Sequence, residues 1–151
     1  MLLRQDRALT AIAVVLDVAF HAGRGAEPAS GAEIAERLGA ARRGIEPVLQ
    51  ALSRTGLLDS HRGPRGGYRL ARRPRDIRLS DIVDAVAEDG VAEAAAGLGG
   101  PLQAAVVAPL WQELGDALRA RLTAITVEEL LRRAQAAGLK LPATEPLNFA
   151  I

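Results

Sequence analysis

The 151-residue sequence predicts a mainly α fold: a winged helix-turn-helix domain with a small β-hairpin wing, followed by a long C-terminal dimerisation helix. Three observations predict it. Apolar residues recur at helical spacing in successive segments, the pattern of helices that bury one face. Two of those segments are short and adjoin through Gly39, and a hairpin marked by Gly66-Gly67 follows at once. A further apolar pattern then runs from Leu102 to Ile125. Hydrophobic residues make up 49% of the chain and aromatic ones only 3%, so the core must be built from aliphatic side chains.

The first helix is expected from Arg7 to Ala22, with Leu9, Ile12, Ala13, Leu16, Ala19 and Phe20 on one face and Gly23, Gly25 and Pro28 ending it. His21 sits near its C-terminus, where a protonated imidazole favours the helix dipole. Ser30-Gly31-Ala32-Glu33 matches a capping box and opens a short helix carrying Ile34, Ala35 and Leu38. A third helix begins near Arg42, with Ile45, Val48, Leu49 and Leu52 on its apolar face and Arg42, Arg43, Glu46 and Gln50 on others. Pro47 removes a backbone donor and is expected to bend this helix or shift its start. Two short helices joined by a tight glycine turn form a helix-turn-helix, whose second helix enters the DNA major groove N-terminus first.

The stretch HRGPRGGYRLARRP, from His61 to Pro74, then reads as a hairpin, with Tyr68, Arg69 and Leu70 alternating as a strand does. Its order after a basic helix makes it a wing, with Arg62 and Arg65 at a tip that reaches a minor groove or its flanking phosphates. A helical segment from Ile77 to Ala87 follows, with Ser80 as its N-cap. Glu88 to Gln103, rich in Ala and Gly, reads as a loop.

The pattern from Leu102 to Ile125 describes a helix too long to hide in so small a domain. The economical reading is a dimer interface through Leu110, Trp111, Leu114, Leu118 and Leu122. Thr126-Val127-Glu128-Glu129 is a second capping box, opening a last helix that ends at Gly138. The organisation is therefore 1–88 for DNA binding, 89–101 as a loop, 102–138 for dimerisation and 139–151 as an irregular tail.

The formal charge of +1 conceals a strong asymmetry. Between Arg37 and Arg75 ten arginines stand against two acids, Glu46 and Asp59, for a net +8. The rest of the chain, with nine basic and sixteen acidic residues, carries −7. A basic working face on an acidic remainder fits a polyanionic partner, double-stranded DNA. Arg69 and Arg72 extend that face beyond the wing tip.

Other chemistries are excluded or poorly served. The sequence contains no cysteine, which removes disulfides, thiolate-ligated zinc, cysteine-ligated iron–sulfur clusters and thiol redox switching. His21 and His61 lack metal-site spacing, and no cofactor motif appears. The four serines have no suitably spaced histidine, so an enzyme is not expected. No apolar run approaches the roughly 18 residues that span a bilayer, and charged residues interrupt the N-terminus, so a cytoplasmic protein without membrane contact is expected.

The segments AEIAERLG, IEPVLQALSRTGLL, RGPRGGYRLAR and LSDIVDAV, in this order and spacing, resemble the BadM/Rrf2 family of bacterial transcriptional regulators over roughly Arg7 to Ala87. The RGPRGGYRL wing is the most specific piece. The resemblance implies a homodimeric winged-helix repressor or activator in which Glu46 accepts from a cytosine amino group and Arg62, beside Pro64, enters the minor groove. Arg42 and Arg43 replace small or apolar residues, and Gly44 stands where many members have tyrosine. Many members hold an iron–sulfur cluster through three cysteines in the loop before the long helix. The matching loop here has none, which implies a cluster-free member answering to a small-molecule or protein effector. The alternative is a winged-helix interaction module that docks on a metabolic enzyme with little DNA specificity.

Overall fold

A computed structural model describes residues 5–22, 27–87 and 97–140. Helix α1 (Gln5–His21) lies at the centre and packs against α2 (Gly31–Arg37), α3 (Arg42–Arg54), α4 (Leu79–Val86), α6 (Val127–Ala136) and the second wing strand. Its buried residues are Ala8, Ala11, Val14, Val15, Val18 and Ala19. This corrects the face expected from the sequence. Leu9 is 68% exposed, and Ile12, Ala13, Leu16 and Phe20 are only half-buried. The helix carries two apolar stripes, and the small-residue one turns inward because neighbours crowd it from several sides. Alanine and valine let helix axes approach closely where leucine would hold them apart.

The helix-turn-helix follows the expected pattern. Ser30 Oγ accepts from the Glu33 backbone N–H at 3.2 Å, and the Ser30 N–H donates to the Glu33 carboxylate at 2.7 Å, which completes the capping box. That bond, with the Ser30 hydroxyl, holds the Glu33 carboxyl below its ordinary pKa of 4.5. Helix α3 runs unbroken through Pro47, so the proline neither shifts nor divides it. Pro47 is exposed, as is Arg43 one turn back, so the missing backbone bond lies on the side of α3 away from the core. Ile45, Val48, Leu49, Ala51 and Leu52 are buried, and Ile34 from α2 joins them.

Strands β1 (Leu58–His61) and β2 (Gly67–Leu70) form the antiparallel wing, with Leu58 opposite Leu70 and His61 opposite Gly67. Leu57 and Leu58 are buried at its root. Its turn spans 63–66, where the Gly66 N–H donates to the Gly63 carbonyl at 2.9 Å and Gly63 adopts φ 116°. The Gly66-Gly67 pair serves close approach rather than positive φ. A Cβ on Gly66 would collide with the His61 carbonyl, and one on Gly67 with the Ala29 carbonyl. Ala29 pairs with Tyr68 as a one-residue third strand, which ties the wing to the entry of α2.

A short 3-10 turn (Pro74–Asp76) leads to α4. Ser80 is not the cap of α4. It is buried inside the first turn, while Arg78 holds the cap position and its backbone N–H donates to Asp81 Oδ2 at 2.9 Å. Residues 88–96, most of the expected loop, lie outside the described residues, as do 141–151 of the expected tail.

The long helix opens with a π-helical turn (Gln103–Val107) and continues as α5 (Ala108–Ala124), with Pro109 in its first turn. Among the described residues, its hydrogen bonds to the body lie at its far end. There Arg119 makes a bidentate pair with Asp84, 2.9 Å at each arm, and the Arg78 guanidinium donates to the Thr123 carbonyl at 2.7 Å. The bonds Leu79 N–H to Ile125 O (3.0 Å) and Val127 N–H to Ile77 O (2.9 Å) then zip the α5–α6 link to the start of α4. Thr126 caps α6 by accepting from the Glu129 N–H at 3.3 Å. The reciprocal half of that second capping box is not formed, because the Glu129 carboxylate accepts from Arg132 and Arg133 instead. Leu122 and Val127 belong to the same core as α1, so the C-terminal helices build no core of their own. No helix among the described residues is long and apolar enough to cross a membrane.

Candidate nucleic-acid interface

The chemistry-bearing surface is built from α3 and the wing. Burial of Ile45, Val48, Leu49 and Leu52 fixes the roll of α3, so Arg42, Arg43, Glu46 and Gln50 are all exposed. Glu46 and Gln50 lie one turn apart, and Arg42 lies one turn before Glu46, so the three share a ridge. The N-cap, Ala41, offers no side-chain acceptor, so no cap side chain covers the first amides of α3 at the positive end of the helix dipole, although the Gly44 N–H donates to the Ala41 carbonyl at 2.9 Å. The wing is held to α3 through the Leu57 N–H, which donates to the Leu52 carbonyl at 3.0 Å. At its tip Arg62, Pro64 and Arg65 are exposed, and so are Arg69 on β2 and Arg72 beyond it.

The fold sorts the arginines into two sets. Some are consumed internally. Arg37 grips Asp17 of α1 through Nε at 3.1 and 3.0 Å and Nη2 at 2.7 Å, and that Asp17 is 8% exposed. His21 Nδ1 lies 2.9 Å from the Asp17 carbonyl oxygen. Arg73 pairs with Asp76 at 2.9 Å. By contrast, no described carboxylate lies within ion-pair distance of Arg42, Arg43, Arg54, Arg62, Arg69, Arg72 or Arg75. Arg65 alone among the wing-tip cations has a carboxylate partner, Glu27, at 3.2 Å. The sequence reading passed over both Asp17 and Glu27. Asp17 sat in an apolar helix pattern, and Glu27 lay outside the basic block.

The residues expected at a dimer interface divide. Leu110, Trp111 and Leu114 are 50, 45 and 53% exposed, and with Val106 and Val107 they form an apolar stripe along the free part of the long helix. Leu118 packs partly on the core at the stripe's edge. Leu122 differs from them: it is 8% exposed and belongs to the core of its own chain.

Together these elements define a DNA-binding winged helix-turn-helix protein: a recognition helix, a basic hairpin wing and a long trailing helix. The family model described as "Iron-dependent Transcriptional regulator", Rrf2, matches residues 5–133. The chain belongs to the Rrf2 family of transcriptional regulators, which is not a family of enzymes. It is 33% identical over 123 residues to the HTH-type transcriptional regulator IscR of Photorhabdus laumondii, covering 80% of this chain and 74% of that protein. It is 34% identical to the IscR of Escherichia coli, covering 80% and 75%. Among solved structures it resembles IscR of T. potens at TM-score 0.72, with 29% identity and 89% of each chain covered. It also resembles CymR, the global cysteine regulator of B. subtilis, at TM-score 0.68, with 25% identity and 88% and 98% covered.

The family description names iron, so the donor set matters. A thiolate-held iron–sulfur cluster does not fit this chain, because there is no cysteine to ligate it. Among the described residues no group of three or more His, Asp or Glu side chains is placed to hold a metal ion.

Proposed function

We propose that the protein is a homodimeric, sequence-specific regulator of transcription that lays α3 in the major groove and the wing in the adjacent minor groove. Residues 1–88 bind DNA, 102–138 dimerise, and the intervening segment, 89–101, receives a small-molecule or protein signal. Glu46 and Gln50 read base edges, Glu46 by accepting from a cytosine amino group. Arg42 and Arg43 seat the helix on phosphates, Arg62 and Pro64 enter the minor groove with Arg65 beside them, and Arg69 and Arg72 hold the backbone. Leu110, Trp111 and Leu114, with Leu118 at the edge, cover one another across a two-fold axis, so that two half-sites are read at once. The dimer acts in the cytoplasm as a repressor or activator by occupying a promoter.

One observation carries this reading: Arg42, Arg43, Arg54, Arg62, Arg69 and Arg72 have no described carboxylate partner and Arg65 alone on the wing has one, Glu27, whereas Arg37 and Arg119, which stitch the body, are paired. A fold that merely needed solubility would have no reason to segregate them. The test is binding of the protein to a duplex from its own promoter region and to an unrelated duplex, across a salt series. Expected are preference for the promoter and a log–log salt slope that steepens by about 0.9 for each phosphate neutralised. Glu46→Ala should alter sequence preference, while Arg72→Ala should weaken binding to both duplexes alike. Equal affinity for the two duplexes would sink the claim of specificity.

A further inference from the structure

The wing tip is not uniformly free. Arg65 Nη1 donates to Glu27 Oε1 at 3.2 Å, while Arg62, three residues earlier, has no described carboxylate near it. The pair does not arise from neighbouring sequence: its members are 38 residues apart. Backbone structure brings them together. Two residues after Glu27, Ala29 exchanges both of its hydrogen bonds with Tyr68, the Ala29 N–H donating at 3.1 Å and the Tyr68 N–H at 2.7 Å. Gly67 lets the Ala29 carbonyl press against the wing where any side chain would collide. The segment that carries Glu27 is thereby fixed beside the hairpin, and its carboxylate reaches the turn. Both members are well exposed, at 83 and 64% of their side-chain surface, so the pair adds little to the stability of the fold. An exposed acid held against a cation on the nucleic-acid face therefore has another consequence.

We propose that Glu27 acts as an internal stand-in for a phosphate, occupying Arg65 in the free protein and lowering its affinity for DNA. This rests on the DNA-binding reading above and deepens it by naming a residue that weakens the contact. A duplex that engages the wing tip must displace the carboxylate from Arg65 and bring its own phosphates near Glu27, and both steps oppose binding. Glu27 thus sets the affinity from outside the recognition helix, in a segment that reads no base.

The test is a double-mutant cycle on the full chain, using wild type, Glu27→Gln, Arg65→Gln and the double variant, with the promoter-region duplex as probe. Thermal melts first establish that all four fold alike, as expected for an exposed pair. Expected is a two- to fivefold tighter dissociation constant for Glu27→Gln, about the worth of an exposed ion pair. That gain should shrink in the Arg65→Gln background, since no cation is left to release and only the repulsion between Glu27 and the phosphates remains. A gain that persists undiminished without Arg65 would show plain repulsion by Glu27 and overturn the competition. So would binding by Glu27→Gln that is unchanged, or weaker because the pair braces the wing. Failure of the wild type itself to bind DNA is a separate outcome, which overturns the regulator reading and this inference with it.

Discussion

The helices of the winged-helix body and the free half of the long helix were written with the same code and have opposite fates. Ile34, Ile45, Leu52 and Ile82 in the body are at most 1% exposed, while Leu110, Trp111 and Leu114 on α5 stand roughly half open to solvent. Both show apolar residues at helical spacing. The difference is in what surrounds them: α1 gives the body a central post touched from several sides, whereas the described bonds of α5 to the body, at Arg119 and Thr123, lie at its far end. Periodicity announces that a face wants cover and says nothing about whether the cover comes from the same chain. On a monomer an apolar stripe of this kind marks an interaction surface.

That contrast can be broken at either end. The largest effect is expected in the body: Leu52→Ala should cost about 2–5 kcal/mol of folding stability in urea denaturation, because the buried site cannot collapse. Next is Asp17→Ala, which strands the half-buried Arg37 guanidinium and loses the α1–α2 tie. A loss of about 2–3 kcal/mol is expected by the same measurement. A Leu110→Asp, Leu114→Asp double variant should leave helical content and melting nearly unchanged. Its dimer dissociation constant in sedimentation should rise at least about tenfold, or about 1.4 kcal/mol. If it melted like Leu52→Ala instead, the stripe would be core and the contrast would fail.

The smallest effect belongs to the α2 cap. Ser30→Ala should cost about 1 kcal/mol. It should also flatten part of the acid limb of stability. Glu33 has a folded pKa below its ordinary 4.5, so its contribution is fully present above that value and is lost as pH falls through the lowered one. Because the group is exposed, the pH-dependent part is well under the cost of the cap itself. Denaturation of Glu33→Gln across that acid range checks it, with a shallower slope expected than in wild type.

The capping box at Ser30 and the apolar face of α3 were legible because they are local. A Ser-x-x-Glu spacing or a 3.6-residue period completes itself within a turn or two. The same holds for the wing's turn at 63–66, although the Gly66-Gly67 pair beside it is required by close contact with the His61 and the distant Ala29 carbonyls rather than by the turn itself. The errors lie where a local pattern had two solutions or a distant partner. On α1 two stripes competed, and the sequence alone favoured the bulkier one containing Leu9. At Ser80 a plausible cap residue was drawn inside the helix because Arg78 pairs with the α5–α6 link. Thr126 lost half its capping box to Arg132 and Arg133, which bid for the same carboxylate.

By itself the chain's order of residues determined where helices and hairpin form and that the stretch from Arg37 to Arg75 is cationic, since those properties depend on neighbours within a few positions. Only the tertiary structure decided which arginines are spent and which are free. Asp17 reaches Arg37 from 20 residues away and Glu27 reaches Arg65 from 38, and both meetings depend on how α1 and the Ala29–Tyr68 bridge are packed. It also decided that Leu122 is core while Leu114, two turns earlier on the same helix, is surface. The physical reason is common to all three: charge neutralisation and burial are properties of pairs brought together by the fold, and a linear pattern records only one member of each.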